Sequence, residues 1–150
     1  MFDSIDKVLD FAIQKEQEAA DLYNMLAGRV SHKNMKQVFE QFAKEEMGHK
    51  AKIQNIKKGK FELSGPSQKI MDLKIGDSLA AQPHDENLDY QQALIIAMKA
   101  EKAAFKLYSD LAAMTKNADI KQTFLGLAQE EAKHKLRFEI EYDENILTEN

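Results

Sequence analysis

KEEMGH at residues 44–49 and QEEAKH at residues 129–134 decide how this chain folds. Each carries a Glu three residues before a His: Glu46 with His49, and Glu131 with His134. Residues three apart on a helix share a face, with Cβ atoms about 5–6 Å apart. A carboxylate and an imidazole on one helix can therefore reach the same metal ion. A single Glu-x-x-His is common on solvated helix surfaces, so the pair alone carries little weight. The surroundings of each pair carry more, because they repeat as well.

Shifting the first half of the chain by 85 residues superimposes it on the second without a gap. Glu16 falls on Glu101, Tyr23 on Tyr108, Glu46 on Glu131 and His49 on His134. Leu9, Ala12, Ala19, Leu22, Leu26, Ala27, Phe39, Ala43 and Glu45 also meet identical residues. The repeating unit is a helix hairpin. The first helix is expected over 3–30, capped by Asp3 or Ser4, and the second over 33–58. The third is expected over 88–114, with Asp89 and Gln92 placed for a capping box, and the fourth over 118–143. Apolar residues recur at alternating three and four spacings along all four, as bundle packing requires. Glu16, Glu46, Glu101 and Glu131 sit inside those stripes, where the pattern asks for apolar side chains. Glu45 and Glu130 project off the stripe and are expected on solvated faces.

Between the hairpins, residues 59–87 hold both prolines and three of the six glycines, with one short amphipathic piece near 68–79. This stretch reads as a crossover within one domain, 1–150, rather than a boundary. A 25-residue helix is about 38 Å long, and extended chain returns along it in about 12 residues. The connection is therefore long enough for the third helix to run parallel to the second. The expected fold is all-α: a four-helix bundle made of two duplicated hairpins joined by a long crossover.

In such a bundle four carboxylates converge on an apolar interior, at a high cost unless something neutralises them. Two divalent cations supply the matching charge. Four carboxylates and two imidazoles suit two such ions about 3.5–4 Å apart. Composition narrows the alternatives. There is no cysteine, which excludes disulfides, thiolate metal sites and iron–sulfur clusters. A net charge of −4 gives no electrostatic reason to expect nucleic acid. No run is apolar enough to span a membrane, and MFDSIDK lacks the basic start of a signal peptide. The default expectation is cytoplasmic.

KEQEAADLY (15–23), KEEMGH, MKAEKAAFKLY (98–108) and QEEAKH together resemble the rubrerythrin branch of the ferritin-like superfamily, over nearly the whole chain. The resemblance implies a di-iron carboxylate centre, with manganese or a mixed pair using the same ligands. Glu46 and Glu131 would bridge the two metals, Glu16 and Glu101 would be terminal carboxylates, and His49 and His134 would each bind one ion. Tyr23 and Tyr108 would hydrogen-bond to the carboxylates and orient them. The implied activity is reduction of hydrogen peroxide, or reaction with dioxygen, with electrons from an external donor protein. The implied assembly is a homodimer. The alternative is a ferritin-like iron-binding, ferroxidase or storage protein. Two features depart from rubrerythrins proper, which carry a rubredoxin domain with a four-cysteine iron site. This sequence has no cysteine, so it looks more like the stand-alone forms. Rubrerythrins also place an extra carboxylate one turn after the third-helix ligand. Ala104 occupies that position here, which puts the peroxide-linked metal movement in question.

Overall fold

A computed structural model describes residues 5–31, 33–59 and 89–144. Four helices make up the described residues: α1 (Ile5–Arg29), α2 (Lys33–Gly59), α3 (Tyr90–Met114) and α4 (Ala118–Tyr142). Neither proline falls in any of them, so no helix interior loses a donor. The start of α3 is fixed by the expected capping box: Asp89 accepts from the Gln92 amide, and Gln92 accepts from the Asp89 amide. Such a cap stabilises a helix start by about 1 kcal/mol. At α4 the Asn117 side chain accepts from the Ile120 amide at 3.0 Å. The expected caps Asp3 and Ser4, the crossover beyond Gly59 and the tail beyond Glu144 lie outside the described residues.

The fold is the four-helix bundle of paired hairpins that the repeat requires. Close backbone packing is concentrated within each hairpin, α1 on α2 and α3 on α4, while α1 meets α3 and α2 meets α4 more loosely. Contacts between the hairpins fix the helix directions. Tyr23 meets Glu101 and Glu16 meets Tyr108, so α1 and α3 are antiparallel. His49 meets Glu130 and His134 meets Glu45, so α2 and α4 are antiparallel as well. It follows that α3 runs parallel to α2.

The core forms two apolar layers with a polar layer between them. One layer holds Leu9, Ile53, Leu107, Leu111, Phe124 and Leu127 among others. The other holds Leu22, Leu26, Met35, Phe39, Leu94 and Phe138 among others. The 85-residue shift exchanges the layers: Leu9 maps onto Leu94, Phe39 onto Phe124, and Leu26 onto Leu111. Each fully buried side chain of this size contributes about 1.5–3 kcal/mol. Helical spacing from Leu94, Ala97 and Glu101 also turns Phe105 inward, and the bundle does not follow it there. Phe105 is 42% exposed, although its counterpart Ala20 is 1% exposed. Its place along α3 is on the flank, and the inward line runs instead through Glu101, Leu107, Tyr108 and Leu111. No helix among the described residues is long and apolar enough to cross a membrane.

Candidate metal centre

The polar layer consists of the residues that break the apolar stripes. Each helix contributes one buried carboxylate: Glu16 from α1, Glu46 from α2, Glu101 from α3 and Glu131 from α4. His49 and His134 join them from α2 and α4, and all six are no more than 2% exposed. Sequence reasoning named these six, and the fold brings them together as two overlapping groups. Glu16, Glu46, His49 and Glu131 form one group, and Glu46, Glu101, Glu131 and His134 form the other. Within each group one ligand atom per residue lies within 4.8 Å of the others. Glu46 and Glu131 belong to both groups, and the remaining residues divide evenly between them.

Every one of the six has a buried side-chain atom without a hydrogen-bond partner: Glu16 Oε2, Glu46 Oε1, His49 Nδ1, Glu101 Oε2, Glu131 Oε1 and His134 Nδ1. They stand close to one another without hydrogen-bond geometry. His49 Nδ1 is 3.0 Å from Glu131 Oε1, and His134 Nδ1 is 3.0 Å from Glu46 Oε1. Buried polar atoms are ordinarily paired, so six partnerless ones converging on one layer form groups that could bind cations. Four oxygen donors and two imidazole nitrogens are the donor set that two divalent first-row metals take.

The electrostatics agree. Burial raises Glu46 well above the ordinary carboxylate range, reinforced by Glu101, Glu131 and Glu16. Burial likewise raises Glu131 well above it, reinforced by Glu101 and Glu16. Glu101 is raised by burial too, with His134 and Tyr23 opposing. Burial disfavours a charge on His134, yet Glu101 and Glu46 outweigh it and lift the imidazole to about 10. His49 is also raised: burial opposes, and Glu16 and Glu130 prevail. The metal-free cluster therefore retains protons that cations would displace.

Both expected tyrosines reach across to the opposite hairpin. Tyr23 donates to Glu101 and Tyr108 donates to Glu16, which sets the direction of each of these carboxylates. Burial and the neighbouring carboxylates raise both phenols well above their ordinary value, so they remain protonated donors.

Glu45 and Glu130 are a correction to the sequence reading. Glu130 meets His49 Nε2, and Glu45 lies 3.3 Å from His134 Nε2. Each holds the outer nitrogen of the imidazole from the opposite hairpin, so that Nδ1 turns inward. A carboxylate on the far side of a ligating histidine fixes its tautomer and orientation. They remain 35% and 40% exposed, which explains their polar appearance on a helical wheel. Phe42 is a second addition. Its ring stacks on His134 with centroids 3.9 Å apart and planes 20° apart. Its repeat counterpart is Leu127, so the two imidazoles have different neighbours.

The sequence profile of the rubrerythrin family matches residues 7–142. The chain belongs to the rubrerythrin family. Its fold is also that of a hypothetical protein from Pyrococcus furiosus, with a TM-score of 0.72 at 23% identity. That likeness covers 93% of this chain and 89% of the other. No curated protein matches the chain. Family membership and the buried Glu/His cluster are together compatible with a di-iron site, and the cluster supplies groups that could bind metal ions.

Proposed function

We propose that the six residues hold two iron ions and that the protein reduces hydrogen peroxide, taking electrons from a separate donor protein. The observation that carries this reading is the set of six buried, partnerless ligand atoms in two groups sharing Glu46 and Glu131. Glu46 and Glu131 would serve both ions, Glu16 and His49 one of them, and Glu101 and His134 the other. Manganese or a mixed pair would use the same groups, and dioxygen is the alternative oxidant. In this reading the working assembly is a homodimer.

Two adjacent ferrous ions together supply the two electrons that breaking an O–O bond takes. Hydrogen peroxide with two electrons and two protons gives two molecules of water. The chain's part is to position and insulate. Glu45 and Glu130 hold the imidazoles in the tautomer that presents Nδ1. Tyr23 and Tyr108 hold Glu101 and Glu16 in place, so the terminal carboxylates need not reorganise as charge changes. The apolar layers on either side exclude bulk water and keep these interactions strong.

The test is to load the metal-free protein anaerobically with iron(II), add peroxide, and follow oxidation optically. Rapid, stoichiometric oxidation that exceeds the rate for free iron is expected. Oxidation no faster than in buffer would remove the proposal.

A further inference from the structure

The six ion-facing residues are matched under the repeat, but the packing behind them is not. His134 lies flat against Phe42, with ring centroids 3.9 Å apart. Phe42 is itself held from two sides: Phe138 meets it at 5.4 Å and Tyr23 at 6.3 Å, both edge-on. Tyr23 in turn donates to Glu101. One half-buried ring thus braces both residues that belong to a single ligand group, His134 directly and Glu101 through Tyr23.

The other copy provides the comparison. Counting 85 residues exchanges Phe42 for Leu127 and Phe138 for Ile53, both buried and aliphatic. Among the described residues, the one aromatic ring facing His49 is that of His134, 6.1 Å away. The two imidazoles are otherwise alike. Each is 2% exposed, turns Nδ1 inward, and has a Glu from the opposite hairpin at Nε2. What separates them is a flat ring on one face of His134 where the other copy supplies an aliphatic side chain.

That difference bears on how an ion leaves. Release from Nδ1 needs the imidazole to swing about its side-chain torsions and carry the nitrogen away. Swinging His134 breaks its stack on Phe42, and Phe42 is kept from following by Phe138 and Tyr23 at its edges. An aromatic pair is worth energy beyond its buried area, and an imidazole already fixed in its ligating position gives up less freedom on binding. His49 swings without losing a stacked partner of this kind.

We propose that Phe42 is a positioning residue for His134, and that it makes the Glu101/His134 position the slower of the two to release its ion. This role rests on the metal site proposed above, since both positions must hold an ion. The ion at Glu16 and His49 is then the exchangeable one. A mixed-metal pair is assembled by exchange there, beside a resident ion held by Glu101 and His134.

The experiment isolates one group at a time. Glu16→Gln leaves the Glu101/His134 group whole, and Glu101→Gln leaves the Glu16/His49 group whole. Each variant is given less than one manganese(II) per chain and mixed rapidly with an excess of chromogenic chelator, whose colour reads the release rate. Release should be about 2–10-fold slower from Glu16→Gln than from Glu101→Gln, the span that one aromatic pair is worth. Adding Phe42→Leu should abolish that advantage in Glu16→Gln and change little in Glu101→Gln, whereas Phe42→Tyr, which keeps the ring, should preserve it. Equal rates in the two parent variants, or faster release from Glu16→Gln, overturn the proposal without any change at Phe42, so they decide the matter even where Phe42→Leu fails to fold. A Phe42→Leu effect that is absent, or of equal size in both backgrounds, overturns it as well. If neither the variants nor the wild type bind manganese(II), the metal reading fails and this role with it. If both variants bind and release alike, the metal reading stands and only the role of Phe42 falls.

Discussion

Replacing Glu131 by Gln should move the stability of the metal-free and metal-loaded proteins in opposite directions. Glu131 is 1% exposed, and its Oε1 has no hydrogen-bond partner. Burial, Glu101 and Glu16 hold its proton affinity well above the ordinary range. An imidazole nitrogen of His49 at 3.0 Å favours the charge, but two carboxylates and desolvation outweigh it. Leaving one buried polar group unsatisfied costs about 1–3 kcal/mol. Gln keeps the shape, and its amide can donate to the surrounding carboxylates, so the metal-free variant should recover about that amount. In a chain of this size each kcal/mol is worth about 2–4 °C, which gives a rise in Tm of roughly 2–12 °C. Metal reverses the order. At a hundredfold excess over Kd each site adds about 2.7 kcal/mol to the wild type, roughly 5 kcal/mol for two. The variant forgoes most of this, because Glu131 belongs to both ligand groups. Calorimetric melting with and without manganese(II), which avoids redox chemistry, reads both effects. A metal-free variant less stable than metal-free wild type would show that the carboxylates are not held together at a cost, and the charge argument would fail.

Three further outcomes follow from the same layer. Glu16→Gln and Glu101→Gln each touch one ligand group, so elemental analysis after loading should find about one metal per chain retained, whereas Glu46→Gln should lose both; equal losses in all three would contradict the shared role of Glu46. Glu130→Gln should weaken metal binding by about 10–100-fold in chelator competition, the usual effect of removing a carboxylate that orients a ligating histidine. Glu45→Gln should fall toward the lower end, because Phe42 still supports His134; wild-type affinity in both variants would show that the pairings do not orient the ligands. The pH dependence has a definite sign. Glu46, Glu101, Glu131, His49 and His134 are all raised, so the folded metal-free protein binds more protons than the unfolded chain. Its Tm should therefore fall as pH rises from about 5 to about 10, while metal affinity increases with pH; a flat profile would contradict the shifts.

The bundle and the six clustered residues were legible in the sequence because two signals coincide: Glu in apolar seats, and the same Glu at the same place in a second copy. The repeat placed Tyr23 and Tyr108 at the site, though not their crosswise partners, since a helical wheel describes one helix alone. Glu45 and Glu130 were misread for the same reason. Each faces away from its own apolar stripe, and only the approach of α2 to α4 reveals that this direction points at an imidazole. A usable signal was present, because both are Glu in both copies, whereas nearby off-stripe positions such as Glu40 and Leu125 differ. Helical phase alone turns Phe105 inward. The bundle leaves it on the flank, where its counterpart Ala20 fits a tighter space.

Writing both hairpins in one chain has a consequence beyond holding them together. Two separate identical hairpins meeting about the same axis would carry any given side chain at both poles or at neither. Covalent linkage lifts that constraint. Here the ion-facing residues stay matched while Phe42, Phe138 and Tyr90 on one side of them stand against Leu127, Ile53 and Ile5 on the other, so a nearly symmetric vessel acquires a front and a back.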